Sequence, residues 1–154
     1  MMSKMKLLAV VVFTFIGLNT LTAQEWSAEQ KAVKAVVQSA YVEGLQNEGD
    51  EAKIDAGFHS EFNLLGIDKN DNMWKYAIKD WKAKAVSKRS KGDLPLKGDK
   101  KVSAKYSMID ITGTAAVVKL EYYVGDKHRY TDYLSLYKFA TGWKIVNKIY
   151  MEHK

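Results

Sequence analysis

From Val102 onward, polar and apolar residues alternate with period two, and glycine-bearing turns at Gly113, Gly125 and Gly142 divide the alternation. That pattern predicts four strands in an antiparallel meander, because successive side chains on a strand point to opposite faces. One file on the second strand is Ala116, Val118, Leu120, Tyr122 and Val124. The third strand carries His128, Tyr130, Asp132, Leu134 and Leu136, and the last carries Trp143, Ile145, Asn147, Ile149 and Met151. A slip of one residue moves a whole file to the other face, so register can be tested against these files. A loop Gly125-Asp126-Lys127 pairs Val124 with His128, Tyr122 with Tyr130, Leu120 with Asp132 and Val118 with Leu134. A loop Thr141-Gly142 pairs Leu136 with Asn147 and Leu134 with Ile149. Both registers keep the apolar files together, on the face expected to be covered. The opposite face carries Lys119, Tyr123, Tyr133, Tyr137, Lys148 and Tyr150 among others, which suits a solvated face of stacked tyrosines or a homodimer surface.

Upstream, the period becomes helical. Ser27 and Gln30 have the spacing of a capping box, and Val33, Val36, Val37, Ala40 and Tyr41 then share one helical face. Gly44 and Gly49 loosen the end, and Asp50 suits the cap of a second, short helix to about Gly57. Phe58 to Ile67 reads as a strand. Asp68 to Asn72 is a turn cluster whose last members are expected to cap a third helix, with Trp74, Ala77, Ile78, Trp81 and Ala85 on its buried face. Ser87 to Lys101 reads as a polar loop around Pro95.

The first 23 residues have the pattern of an export signal: Lys4 and Lys6, then an uncharged stretch ending in Leu21-Thr22-Ala23. Its apolar centre, Leu7 to Leu18, is about twelve residues long against the roughly 20 a spanning helix needs, so cleavage after Ala23 is expected rather than a retained anchor. The mature chain, 24-154, is then about 130 residues, one domain of ordinary size. It is expected in the periplasm or outside the cell, with no membrane attachment after cleavage. There is no cysteine, which excludes disulfides and thiol chemistry. The net charge of +6 is concentrated between residues 82 and 105. There Lys82, Lys84, Lys88, Arg89, Lys91, Lys97, Lys100, Lys101 and Lys105 face only Asp93 and Asp99. Such a stretch suits a solvated helix end or an anionic partner.

Tyr41-Val42-Glu43-Gly44-Leu45 with Gly49-Asp50, then Phe58-His59, then Tyr130 to Leu136, and finally Gly142-Trp143-Lys144-Ile145-Val146-Asn147-Lys148-Ile149-Tyr150 together resemble the "putative lumazine-binding" branch of the nuclear transport factor two-like superfamily. The resemblance spans nearly the whole mature chain. It implies an α+β fold in which a cone-shaped, curved antiparallel sheet packs on N-terminal helices. It also implies a pocket at the wide end of the cone and, frequently, a homodimer. It implies no single chemistry, since the superfamily includes ketosteroid isomerase, SnoaL-like cyclases, dehydratases, transport adaptors and many binders.

Asp132 and Asn147 each interrupt an apolar file, and a buried carboxylate or amide must find partners. In the expected register they lie roughly 13 Å apart, so each needs a helix, a water or a ligand, or in the blander case simply a local structural bond. Tyr41, His59, Trp74, Tyr122 and Tyr130 complete the candidate ligand-binding set, since aromatics with a few polar groups are what small-molecule cavities show. The same residues would serve equally as large core side chains. If the protein is an enzyme, Asp132 or His59 would be the general base and a tyrosine hydroxyl would stabilise developing charge. His59, His128 and His153 lack metal-ligand spacing, and phosphate loops and a nucleophile elbow are absent. No cofactor, metal or nucleic-acid partner is expected. The readings in order are an exported binder of a small aromatic or heterocyclic molecule, a SnoaL-like proton-transfer enzyme, and a dimeric interaction module.

Overall fold

The computed structural model describes residues 25–154; the expected signal at residues 1–23 lies outside them. Helix α1 (Ala28–Val36) opens on the capping box: Ser27 Oγ accepts from the Gln30 amide, and Gln30 Oε1 accepts from the Ser27 amide. It continues directly as a π-helix, Val37–Glu48. This wider turn, a form often found at functional sites, puts Tyr41, Val42 and Leu45 under cover together with Val37 and Ala40. Gly49 ends it in the left-handed region at φ 62°, where a side chain would be strained. Asp50 then caps α2 (Glu51–Gly57) by accepting from the Lys53 amide. The end of α2 lies so close to the π-helix that a Cβ on Gly57 would sit 2.2 Å from that of Ala40.

Strand β1 (Phe58–Ile67) follows as expected, but the next element is a correction. Met73–Ala77 is a strand, β2, paired antiparallel with β1, and helix α3 (Ile78–Ser90) begins only at Ile78. Asp68 does not lead into a helix cap. Its carboxylate accepts from the amides of Asn70 and Asn72 and closes a hairpin, with Asp71 at φ 62°. The run Met73-Trp74-Lys75-Tyr76 is itself period two and aromatic, which suits an edge strand. It is too short to stand out against the helical spacing that continues through Trp81 and Ala85. The loop expected from Ser87 is likewise shorter: Ser87 to Ser90 are helical, and Leu94 is buried.

The meander consists of β3 (Val102–Thr112), β4 (Ala115–Val124), β5 (Lys127–Phe139) and β6 (Gly142–Glu152). The sheet order is β2-β1-β6-β5-β4-β3. After α3 the chain crosses to the far edge and works back, so β6 arrives beside β1 running in the same direction. The curved, unclosed sheet is therefore mixed: the expected antiparallel meander, joined to β1 through the parallel β1–β6 pair. Val33, Tyr41, Ile54 and Phe62 meet Val118, Leu120, Leu134 and Ile145 in the core between helices and sheet. Asn47 ties the helical layer to the first meander strand. Its amide donates to Val102 O at 2.9 Å and its oxygen accepts from Val102 N at 2.8 Å, replacing a strand neighbour for that residue.

Two bulges decide which side chains face inward. Val118–Leu134, Leu120–Asp132 and Tyr122–Tyr130 pair as expected, but beyond Tyr122 a bulge pairs Tyr123 with His128 and Val124 with Lys127. The turn is thus Gly125-Asp126, and His128 leaves the inner file. In the last hairpin Phe139 pairs with Gly142 and Leu136 with Ile145; then a bulge pairs Ser135 with Asn147 and Leu134 with Lys148. The extra residue reverses the faces of everything after it. Trp143 and Ile145 face inward as expected, but Asn147 turns outward and Lys148 takes the interior position, while Ile149 and Met151 lie at the surface.

Candidate ligand-binding site

Asp132 is fully buried. One carboxylate oxygen accepts from Lys148 Nζ at 2.6 Å and the other from the Tyr41 hydroxyl at 2.7 Å. The β6 bulge creates this contact, because only the shifted register aims Lys148 at the strand that carries Asp132. The ammonium also lies 5.2 Å from the Tyr41 ring centre and 5.0 Å from that of Tyr150, a favourable cation-π distance. Burial pulls the Lys148 amine below its ordinary 10.5, and Asp132 opposes that pull. Burial raises the Tyr41 hydroxyl well above 10.0, with the Asp132 charge adding to the rise. A buried pair of this kind contributes little net stability by itself, but both carboxylate oxygens of Asp132 are engaged. It fixes the Tyr41 ring and the lysine in one place.

Above this pair is a cavity of about 260 Å³, walled by Tyr41, Gln46, Leu64, Trp81, Tyr122, Tyr130, Lys148 and Tyr150. The rings brace one another. Tyr130 stands edge-on to Tyr122 at 5.4 Å and to Tyr150 at 5.5 Å, and Tyr41 contacts Trp81 at 6.1 Å. The Tyr122 hydroxyl donates to Gln46 Oε1 at 3.0 Å, so the π-helix supplies both Tyr41 and Gln46 to the wall. At Gln46, Trp81 and Tyr122 the cup adjoins a larger cleft of about 680 Å³ that Leu45, Tyr76 and Leu96 also line.

Of the residues singled out in the sequence, Tyr41, Tyr122, Tyr130 and Asp132 come together here, with Asp132 behind the wall that Lys148 and Tyr41 form. Trp74 lies beside the site. Its indole covers Gly66, where a Cβ would sit 2.1 Å from the ring, and its centre is 6.3 Å from that of Tyr150. Asn147 is on the opposite sheet face, its amide 3.4 Å from Asn63 O; the expectation that it shares the interior with Asp132 is corrected by the bulge. His59 is elsewhere too, stacked on Phe139 at 4.9 Å and accepting from the Glu61 amide. It lines a separate depression with Phe58, Ile78 and Lys144. Sequence reasoning missed Lys148, Gln46, Trp81 and Tyr150 as site residues. Only the demand of a buried carboxylate for a cation points to Lys148. Among the described residues no three His, Asp or Glu side chains converge as metal ligands, and no helix is long and apolar enough to cross a membrane.

Known structures share this architecture. An NTF2-like protein of unknown function from Shewanella baltica is 25% identical, with a TM-score of 0.64 over 86% of this chain and 99% of that one. Others of unknown function come from Silicibacter pomeroyi (19% identity, TM-score 0.63, 80% and 94% covered) and Methylobacillus flagellatus (21%, 0.59, 84% and 97%). No curated protein is matched. The family described as "Putative lumazine-binding" matches residues 28–151, nearly the whole described chain, and the protein belongs to that family.

Proposed function

We propose that the protein is an exported binder that holds a small aromatic or heterocyclic molecule in the tyrosine-lined cup. The observation that carries this reading is the cup itself: braced rings around a buried, hydrogen-bonded Asp132–Lys148–Tyr41 group. The family description points to a pteridine-sized ring. Binding is favoured over proton transfer because Asp132 has no exposed atom and both its oxygens are engaged. A general base needs an oxygen free to approach the reacting atom to about 3 Å. Export rests on the pattern of residues 1–23.

Lumazine should quench the tryptophan fluorescence saturably, and Tyr122→Ala should weaken it about tenfold, the loss expected for one stacking ring. Native mass spectrometry of protein from its own host should show a chain starting at Gln24 with a small molecule attached. Absence of both lumazine binding and any co-purified molecule would sink the binding reading, and a chain retaining Met1 would sink the export reading.

The outer sheet face supports a second element of the proposal, a homodimer. Met108, Lys119, Tyr133 and Ile149 form one row across four strands, and Tyr133, Tyr137, Ile149 and Met151 are 37%, 53%, 50% and 63% exposed. An exposed face carrying this many tyrosine and large apolar side chains is what a second copy would cover. Tyr133→Lys with Ile149→Lys should convert the sedimentation profile from dimer to monomer. A native protein already monomeric at high concentration would refute it.

A further inference from the structure

The basic stretch between residues 82 and 105 is divided in the fold. Lys82 is held by Asp55 and Glu51, Arg89 by Asp50, and Lys105 lies over the Tyr123 ring. Lys84 and Lys88 have no carboxylate within ion-pair distance among the described residues, nor has Lys100. These three line the larger cleft at the mouth of the cup. Helix periodicity sets the arrangement: Trp81, Lys84, Ala85 and Lys88 fall on one stripe of α3. Trp81 forms part of the cup wall and Ala85 packs into the core, so the two lysines are carried to the rim above the tryptophan. Lys100 reaches the same cleft from the short 3-10 turn Gly98–Lys100. Only Asp93 opposes them there.

The other parts of the site are neutral by comparison. Lys148 is neutralised by Asp132 at the base of the cup. A second cleft, beyond Tyr122 and Tyr130, has Asp99 and Asp126 against Lys127 and Arg129. The positive potential is therefore confined to one mouth, directly outside the aromatic walls. Like charges held together on the rim of a low-dielectric cleft raise the local concentration of anions.

We infer that the ligand is a planar heterocycle bearing an anionic group, a carboxylate or a phosphate. The uncharged ring enters the cup between Tyr122, Tyr130 and Trp81, and the anion stays at the mouth against Lys84, Lys88 and Lys100. This inference rests on the aromatic-binding reading above and adds the ligand's charge and orientation.

The test compares lumazine with lumazine-6-carboxylate on the full mature protein by tryptophan quenching, at mildly acidic pH where the lumazine ring is uncharged. The carboxylate should bind about tenfold more tightly at low salt, and the advantage should shrink as ionic strength rises. In Lys84→Gln/Lys88→Gln/Lys100→Gln the ratio of the two affinities should fall to near one. In the control Lys31→Gln/Lys69→Gln/Lys75→Gln, which removes equal charge elsewhere on the surface, the ratio should persist. Equal affinities in the native protein, or a ratio unchanged by the cleft substitutions, would overturn this inference while leaving the cup's ring-binding role intact. No binding of either compound would overturn both.

Discussion

Asp132→Ala is expected to destabilise the protein by about 3–5 kcal/mol, the usual penalty for removing one member of a buried ion pair. The mechanism is specific to what remains. Lys148, 4% exposed, would keep a positive charge in the core with no anion beside it. The Tyr41 hydroxyl would lose the only acceptor it has among the described residues. The cation-π contacts from Tyr41 and Tyr150 remain, but these offset only about 1–2 kcal/mol. Thermal denaturation should move down by roughly 10 °C or more for a chain of this size. Asp132→Ala/Lys148→Met should recover most of the loss, because a thioether side chain of similar length fills the space without a charge. If the single and double variants melt together, close to the native protein, then the pair is not shielded from water and the cup has no rigid base.

The contrast between Asp132 and Asn147 shows where sequence reasoning succeeds and where it stops. Both were singled out because a polar residue interrupts an apolar file, and for Asp132 the inference holds because β4 and β5 pair in register from Ala115 to Tyr122. Asn147 lies beyond the β6 bulge, and no glycine or proline marks that bulge: Ile145-Val146-Asn147-Lys148 offers two apolar and then two polar residues, so either Asn147 or Lys148 could continue the inner file. Its cause is tertiary. β6 must pair with β5 on one side and β1 on the other, and the β1–β6 register also shifts, between Phe58 and Asn63. The elements whose signals are local, such as the Ser27 and Asp50 caps and the limits of β1, were legible. The β2 edge strand was not, because five residues of period two are outweighed by neighbouring helical spacing. The site was half legible for the same reason: Tyr41, Tyr122 and Tyr130 stand on continuous periodic elements, whereas Lys148 and Tyr150 reach the interior only through the slip.

The same buried hydroxyls make the fold sensitive to alkali. Tyr41, Tyr106 and Tyr122 all have hydroxyls raised above the ordinary value of 10.0, in each case chiefly by burial, with Asp132 adding to the rise at Tyr41 and Tyr122 and Glu43 at Tyr106. An acid group whose folded value is raised holds its proton in the native state when the unfolded chain would release it. Its stabilising contribution is therefore complete below pH 10 and is lost as pH climbs from there toward the folded value. Lys148 acts in the opposite sense, since its lowered value means the unfolded chain binds the proton more tightly, so raising the pH relieves a native-state penalty. That relief is complete once pH passes the ordinary 10.5, so it does not offset the tyrosine loss above it. Each tyrosine contributes about 1.4 kcal/mol per pH unit, so the three together should remove about 4 kcal/mol per unit above pH 10, against a total stability on the order of 5–15 kcal/mol. Denaturant titrations at about pH 9, 10 and 11 should show the midpoint falling steeply only over the upper interval. Phenolate absorbance from these rings should appear together with loss of the helical circular dichroism signal. Tyr122→Phe should reduce the slope, because it removes one of the titrating groups. Phenolate absorbance that rises fully while the helical signal persists would mean that the rings are open to hydroxide, and the tightly braced cup would have to be abandoned.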